Sequence, residues 1–248
     1  VDCAMEALYA VKTDGTLWMW GNNNQGQLGN GATADKSSPI QVGTLTNWLQ
    51  IMPTKESTYA IKTDGPLWTW GADNQGQLAD GSTINRSSPA QVGSLTDWGD
   101  GEYSIENNFR IADGDDWGLV IKTDGKLWAW GYNNYGMLGQ GNTIDRSSPV
   151  QVGTDTWLTV AGGQSHALGI NSDGELFSWG GGSMGKLGHG NTTNLSTPTQ
   201  VGSATNWTNI GVARNFSAAI NSAGELWTMG QGNSGQLGLG TTSNISTI

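Results

Sequence analysis

The chain has 248 residues, of which 35% are hydrophobic, with 13 tryptophans, 39 glycines and one cysteine. Its formal net charge of −10, from 11 Lys and Arg against 21 Asp and Glu, argues against a nucleic-acid partner, because phosphate binding requires clustered positive charge. One cysteine excludes an internal disulfide framework, and no apolar run approaches the ~18 residues that a membrane-spanning helix requires. We therefore expect no nucleic acid and no membrane span.

A β-hairpin is the first element that the sequence predicts. The apolar-rich segments 8–13 and 16–20 flank Asp14-Gly15, and Asp-Gly between two such segments is a strong signal for a hairpin with a type I′ turn. The same dipeptide recurs at 64–65, 124–125 and 173–174, and Ala223-Gly224 is a weaker copy. We therefore predict the same hairpin at five places.

A polar loop with isolated apolar residues follows each hairpin. Residues 21–31 are rich in Gly and Asn, which tolerate left-handed backbone conformations, and Leu28 is the one large apolar residue among them. A short strand that begins with proline follows at 39–43, and Trp48 leads into a further strand. We interpret the leucines as plugs that pin the loops to the core, and the tryptophans as packing anchors between sheets. The predicted anchors are Trp18, Trp20, Trp68, Trp70, Trp128, Trp130, Trp179, Trp227, Leu28, Leu78, Leu138, Leu187 and Leu237.

This succession repeats along the whole chain. The stretches 17–31, 67–81, 127–141, 176–190 and 226–240 are nearly the same, at offsets of 50, 60, 49 and 50 residues. Each repeat carries about four short strands and no helical periodicity, and one such sheet cannot bury both of its faces alone. We predict an all-β fold, a single β-propeller domain over 1–248. Its repeats are 1–48, 49–98, 99–157, 158–207 and 208–248, the last incomplete.

The repeat resembles that of the regulator-of-chromosome-condensation family. The matching motifs are Lys-Thr-Asp-Gly-x-Leu-Trp-x-Trp-Gly, then Asn-x-x-Gly-Gln-Leu-Gly-x-Gly, then Pro-x-Gln-Val-Gly. The resemblance implies a β-propeller, typically of seven blades, which would need roughly 350 residues at this spacing. Either five blades close with an unusual seam, or the chain is part of a longer one, which we favour. An open propeller would expose two unpaired blade faces and should dimerise, continue into more sequence, or aggregate.

Few residues suit catalysis. The sequence has two histidines and no nucleophile elbow, phosphate loop or zinc-type Cys/His spacing. His166 has Phe and Trp as counterparts in sister repeats, so we interpret it as a packing or strand-end hydrogen-bonding group, and His189 as solvated. The acidic cluster Asp113, Asp115 and Asp116 could bind Ca²⁺, but it lacks a recognised loop spacing and is better interpreted as a solvated loop. We expect no enzyme activity, no metal and no cofactor.

Positions that do not repeat are the best candidates for binding. One set follows the Gly or Ala at the end of a strand in each repeat, and propeller geometry would gather its members on one face: Met5, Lys55, Asp115, Gln164 and Arg214. The other is a ten-residue excess in the third repeat, 99–109, which adds Tyr103 and Phe109 just before Arg110. Aromatic residues and arginine are common interface anchors. A tolerated surface insertion is the alternative.

These observations favour a non-enzymatic propeller that binds a protein or assembles with itself. Its low-charge, Asn/Gly/Thr-rich repeats are similar to those of bacterial and phage surface or structural proteins of this family, so an extracellular or virion location is favoured over the cytoplasm. The alternative is a guanine-nucleotide exchange factor, because the family's founding member acts on a small GTPase. A photoreceptor of the family uses tryptophan clusters, but its Gly-Trp-Arg-His-Thr signature is absent here.

Overall fold

The computed structural model describes residues 2–3, 7–99 and 111–248, and their regular structure is almost entirely antiparallel strand. The one helical element in this part of the chain is a 3₁₀ turn at Ser183–Gly185. These residues contain no helix that is long and apolar enough to cross a bilayer. The strands are β1 (Asp2–Cys3), β2 (Ala7–Val11), β3 (Leu17–Gly21), β4 (Lys36–Gln41), β5 (Trp48–Pro53), β6 (Ser57–Lys62), β7 (Leu67–Gly71), β8 (Arg86–Gln91), β9 (Ile111–Asp113), β10 (Trp117–Ile121), β11 (Leu127–Gly131), β12 (Arg146–Gln151), β13 (Trp157–Gly162), β14 (His166–Asn171), β15 (Leu176–Gly180), β16 (Leu195–Gln200), β17 (Trp207–Val212), β18 (Phe216–Asn221) and β19 (Leu226–Gly230). The all-β prediction is confirmed.

The strands form five sheets, one for each repeat. The sheets β1–β4, β5–β8, β9–β12 and β13–β16 have four strands each, paired in chain order, and the fifth consists of β17, β18 and β19. The fourth strand of the last repeat is reduced to a single bridge between Gly230 and Ile245. Contiguous packing defines two compact units, one of Val1–Ile105, Trp130–Tyr132 and Asp145–Val150, the other of Glu106–Ala129, Asn133–Ile144 and Gln151–Ile248.

The hairpins form where predicted, but their turns are of another type. The carbonyl of Lys12 accepts the N–H of Gly15 at 2.9 Å, so the turn is centred on Thr13 and Asp14. Gly15 has φ of +77°, whereas Thr13 and Asp14 do not have positive φ. The type I′ prediction is therefore wrong, because that turn needs positive φ at both central residues. Here the turn precedes a left-handed glycine, and Asp14 Oδ1 accepts the backbone N–H of Thr16 at 3.0 Å.

A lysine packs on a tryptophan beside this turn in the first three repeats. The Nζ of Lys62 lies 3.9 Å from the ring centroid of Trp68, in a buried position. A desolvated ammonium over an indole face contributes up to about 2 kcal/mol. The equivalent pairs are Lys12 with Trp18 and Lys122 with Trp128. In the fourth and fifth repeats asparagine replaces the lysine and donates instead to a glutamate, Asn171 to Glu175 and Asn221 to Glu225.

A recurring contact joins each loop to the next repeat, and we call it the repeat latch. Gly31 donates its N–H to the carbonyl of Ser87 at 2.7 Å, and the indole of Trp70 donates to the carbonyl of Gln27 at 2.8 Å. The loop glycine also leaves room for the neighbour, because a Cβ on Gly26 would lie 2.7 Å from the Cα of Ser87. The N–H bond recurs from Gly81 to Ser147, Gly141 to Ser196 and Gly190 to Ser246. The indole bond recurs from Trp130 to Gln77 and Trp179 to Met137.

The proposed anchors differ in how deeply they lie. The five loop leucines are at most 3% exposed, and Trp70, Trp130 and Trp179 are fully buried. The first tryptophan of each pair is only partly covered, as is Trp20, and Trp227 is 40% exposed. Burial of the second tryptophan therefore depends on a preceding loop that packs against it.

Candidate protein-interaction face

Four of the non-repeating candidate residues occupy the same place in their sheets. Each lies in the hairpin turn between the first and second strands, which is closed by one backbone bond, such as Gly163 N–H to the carbonyl of His166 at 2.9 Å. Lys55, Asp115, Gln164 and Arg214 are the first central residues of these turns. Connecting turns run over the protein surface, where binding residues are often found.

In the second compact unit three of these residues form one hydrogen-bonded row. Gln164 Nε2 donates to Asp115 Oδ2 at 2.9 Å, and Arg214 Nε donates to Gln164 Oε1 at 2.9 Å. The glutamine amide thus connects a carboxylate at one end with a guanidinium at the other. The row is partly exposed at Asp115 and Gln164 and exposed at Arg214.

The other candidates do not join this row. Lys55 belongs to the first compact unit, is exposed, and pairs with Glu56 at 3.3 Å. Met5, Tyr103, Phe109 and Arg110 lie outside the described residues.

Glycines beneath the row bring its turns into direct backbone contact. A Cβ on Gly162 would lie 2.2 Å from the carbonyl oxygen of Asp113, and one on Gly163 would lie 2.5 Å from that of Ala213. No side chain fits at these distances, so the turns pack backbone against backbone. The polar row therefore lies on a platform with little freedom to shift.

Trp117 supports the row from below, a role that repeat comparison missed. It is fully buried, and its indole donates to the carbonyl of Gln164 at 3.3 Å. Gly114 makes room for it, because a Cβ there would lie 1.8 Å from the indole nitrogen. The available signal was that Trp117 is the one tryptophan outside the repeating positions.

Asp113 lies under the acidic end of the row. Burial, together with the nearby charge of Asp115, raises the pKa of Asp113 to about 7. Its carboxyl group is therefore partly protonated at neutral pH, and the local charge around Asp115 changes in that range. Among the described residues no group of three or more His, Cys, Asp or Glu side chains is arranged to hold a metal ion.

His166 lies in a closed polar cluster, not at the surface. Ser217 Oγ donates to the carbonyl of Lys186 at 3.0 Å and lies 2.8 Å from His166 Nε2. The single hydroxyl proton of Ser217 is already donated to the carbonyl of Lys186, so the hydroxyl oxygen accepts a hydrogen bond from the imidazole of His166. The imidazole therefore carries its hydrogen on Nε2. Burial, and then the charge of Lys186, lowers the pKa of His166 to about 3. His166, Ser217 and Lys186 are at most 1% exposed, so this cluster stabilises the junction of the fourth and fifth repeats.

The lysine side chain of this cluster is also buried. Lys186 Nζ donates to Ser165 Oγ at 2.8 Å, and burial lowers the pKa of Lys186 to about 8. His189 differs from the expectation of a solvated side chain. It is half-buried and hydrogen-bonds to Ser178 Oγ at 2.9 Å, because its loop packs back onto β15.

The sequence of the chain matches a known family. A family model described as the RCC1-like domain matches residues 1–247. The protein belongs to the RCC1-like domain family. A short segment is also 41% identical over 51 residues to the Ultraviolet-B receptor UVR8 of Arabidopsis thaliana, which covers 20% of this chain and 12% of that protein.

Solved structures give the fold of this RCC1-like domain. Yeast RCC1 (Prp20), in its structure with Kap60, has a TM-score of 0.81 and 20% identity over 98% of this chain and 58% of that one. Human WBSCR16 has a TM-score of 0.82 and 21% identity over 99% of this chain and 64% of that one. The predicted β-propeller fold is confirmed, and the chain spans about three fifths of the length of these two proteins.

Proposed function

We propose that this RCC1-like domain is a non-enzymatic binding module that holds a protein partner on the face formed by its first hairpin turns. The observation that carries the proposal is the row Asp115–Gln164–Arg214 on its glycine platform. A preordered row loses little side-chain entropy on binding, and its two charged ends favour a partner segment of opposite polarity. A bacterial or phage surface assembly is the setting that we propose for it.

The family supports protein binding in general terms. The structure of yeast Prp20 was described together with its binding to Gsp1p and histones. Those partners are proteins, and here the acidic charge of the whole chain favours a protein over a nucleic acid.

A polarity exchange tests this face. The double variant Asp115→Arg with Arg214→Asp retains the row if the amide of Gln164 flips, but it reverses the two charges. Peptides selected from a displayed random library on the wild-type protein should carry an acidic residue and a basic residue in a fixed order. Peptides selected on the double variant should carry them in the opposite order.

The matched control exchanges two opposite charges outside the row in the same compact unit, Lys126→Asp with Asp155→Lys. This control should select the same peptides as the wild type. If the row variant also selects the wild-type peptides, or if no peptide is enriched on the wild-type protein, the face is not the binding site.

Nucleotide exchange on a small GTPase is the second candidate. The family relative that binds Gsp1p and the insertion at 99–109 favour it. Release of a fluorescent guanine nucleotide from a panel of small GTPases should not be accelerated by the protein. Acceleration that disappears when 99–109 is deleted would replace the proposal with an exchange factor.

A further inference from the structure

The polar loop of the fourth repeat carries an exposed methionine. Met184 is 43% exposed, whereas Met19, Met137 and Met229 are fully buried. Tyr135 occupies the equivalent position in the third repeat and is 47% exposed, so this position of the loop is open to solvent in more than one repeat. Met184 is therefore the most exposed of the methionines that the structure describes.

The backbone at Met184 is unusual for a residue with a long side chain. Its φ is +63°, and the one other described non-glycine residue with positive φ is Ala79. Such residues are uncommon in the left-handed region. Gln25, the counterpart of Met184 in the first repeat, does not have positive φ. The two side chains therefore leave their loops from different backbone conformations.

The sulfur of Met184 contacts a side-chain amide of the fifth repeat. Asn244 Nδ2 donates to Met184 Sδ at 3.3 Å. The orientation of this amide is fixed by Gly232, whose backbone N–H donates to Asn244 Oδ1 at 2.9 Å. A thioether is a weak hydrogen-bond acceptor, so the amide donor of Asn244 has a poor partner.

The first and second repeats make the same contact with a stronger acceptor. Asn85 Oδ1 accepts the N–H of Asp73 at 2.9 Å, and Asn85 Nδ2 donates to Gln25 Oε1 at 2.7 Å. Asn85 is the counterpart of Asn244, as Gln25 is of Met184. An oxygen atom on the sulfur of Met184 would therefore give the fourth-repeat loop the kind of acceptor that Gln25 supplies.

We propose that Met184 is a site of reversible oxidation by a hydroperoxide, and that the sulfoxide oxygen accepts from Asn244 and strengthens the contact between the fourth-repeat loop and the fifth repeat. A lone pair of the sulfur attacks the terminal peroxide oxygen, so an S–O bond forms while the O–O bond breaks. The sulfur is oxidised, the peroxide is reduced, and the proton moves to the departing oxygen, which leaves as water or an alcohol. Reduction by a dithiol releases the sulfoxide oxygen as water and forms a disulfide. No residue of the row at Arg214 takes part.

Peptide mass spectrometry after graded exposure to hydrogen peroxide tests the chemistry. The peptide that contains Met184 should gain one oxygen atom roughly tenfold faster than the peptides with buried methionines, because a buried sulfur reacts only when the structure opens. Methionine sulfoxide reductases for both sulfoxide epimers, supplied with a dithiol, should remove that oxygen. Equal rates at Met184 and at a buried methionine, or an oxygen that the reductases leave in place, would overturn the proposal.

Hydrogen exchange at the backbone N–H of Gly232 measures the structural consequence. Asn244 holds this N–H, so a stronger acceptor for Asn244 should slow its exchange by about two- to tenfold after oxidation. Met184→Gln should slow the exchange similarly without peroxide, because it supplies the same oxygen as Gln25. Met184→Leu is the matched control, since it cannot be oxidised there, and peroxide should leave its exchange at Gly232 unchanged.

Asn244→Asp should reverse the effect of oxidation. This variant retains an Oδ1 acceptor for Gly232, just as Asp35 Oδ1 accepts the N–H of Asn23 at 2.8 Å in the first repeat. A carboxylate oxygen then replaces the Nδ2 donor and repels the sulfoxide oxygen, so peroxide should speed the exchange at Gly232. Exchange that does not slow in the oxidised wild type, or that slows equally in Asn244→Asp, would overturn the proposal, because the sulfoxide would not be the acceptor.

Discussion

Gly136→Ala and Gly235→Ala make the same chemical change at nearly the same backbone conformation, in different surroundings. Gly136 has φ of +84° and Gly235 has φ of +75°. The added Cβ would lie 2.5 Å from the Cα of Ser196 in the first case and would have no atom within 4 Å in the second. The pair therefore separates backbone strain from steric conflict at the repeat latch.

The expected losses of stability follow from these two terms. Alanine in a left-handed conformation costs roughly 1 kcal/mol, and both variants carry that cost. At Gly136 the outer strand β16 must also move away, which typically adds about 1–3 kcal/mol. We therefore expect the free energy of unfolding to fall by about 1 kcal/mol for Gly235→Ala and by about 3 kcal/mol for Gly136→Ala.

Urea denaturation followed by tryptophan fluorescence measures both losses. Equal losses for the two variants would refute the reasoning, because the close approach of Gly136 to Ser196 would then contribute nothing to the change in the free energy of unfolding. A larger loss at Gly235 would refute it also.

Three further predictions concern buried groups. Asp113→Asn should raise the free energy of unfolding above pH 7 by on the order of 2 kcal/mol and have little effect near pH 4. The pKa of Asp113 is raised to about 7 in the folded protein, so the carboxyl of the wild type loses stabilising free energy as the pH rises from its ordinary pKa to about 7, and asparagine does not. Urea titrations at several pH values measure the difference. His166→Phe should make the free energy of unfolding depend less steeply on pH below pH ~6.5. A histidine whose pKa is about 3 in the folded protein takes up its proton mainly when the chain unfolds, so acid destabilises the wild type. Thermal melts between pH 4 and 7 measure this slope, and an unchanged slope would contradict the burial of a neutral imidazole. Trp130→Phe should cost about 2–3 kcal/mol, since it removes the indole hydrogen bond to the carbonyl of Gln77 and leaves a void in a fully buried position. A loss below that of an exposed control, Trp227→Phe, would contradict the latch.

Comparison between repeats predicted the strands and the buried loop leucines because those features depend on local patterns. The Asp-Gly pairs locate the hairpins correctly at Gly15 and its counterparts. The turn type was wrong because the same dipeptide serves two kinds of turn, and the number of residues between the paired strands decides which one forms. His189 was misjudged for a related reason, since only its distance to Ser178 shows that its loop packs back onto the sheet.

The candidate binding row was only partly predictable. Asp115, Gln164 and Arg214 stand out in the sequence because they do not repeat while their neighbours do. Their hydrogen bonds could not be predicted, since residues 49 and 50 positions apart meet only when successive turns lie side by side. The support from Trp117 depends on the same proximity.

The sequence by itself determined the five repeats, their strands, the glycine-rich loops and the absence of a catalytic motif, because periodicity and turn chemistry act within a few residues. The tertiary structure alone decided which glycines need to be glycine. Gly136 and Gly235 occupy the same position in the same motif, yet one lies against a serine of the next repeat and the other faces open space. The difference arises from what packs against each loop, and no local pattern contains that information.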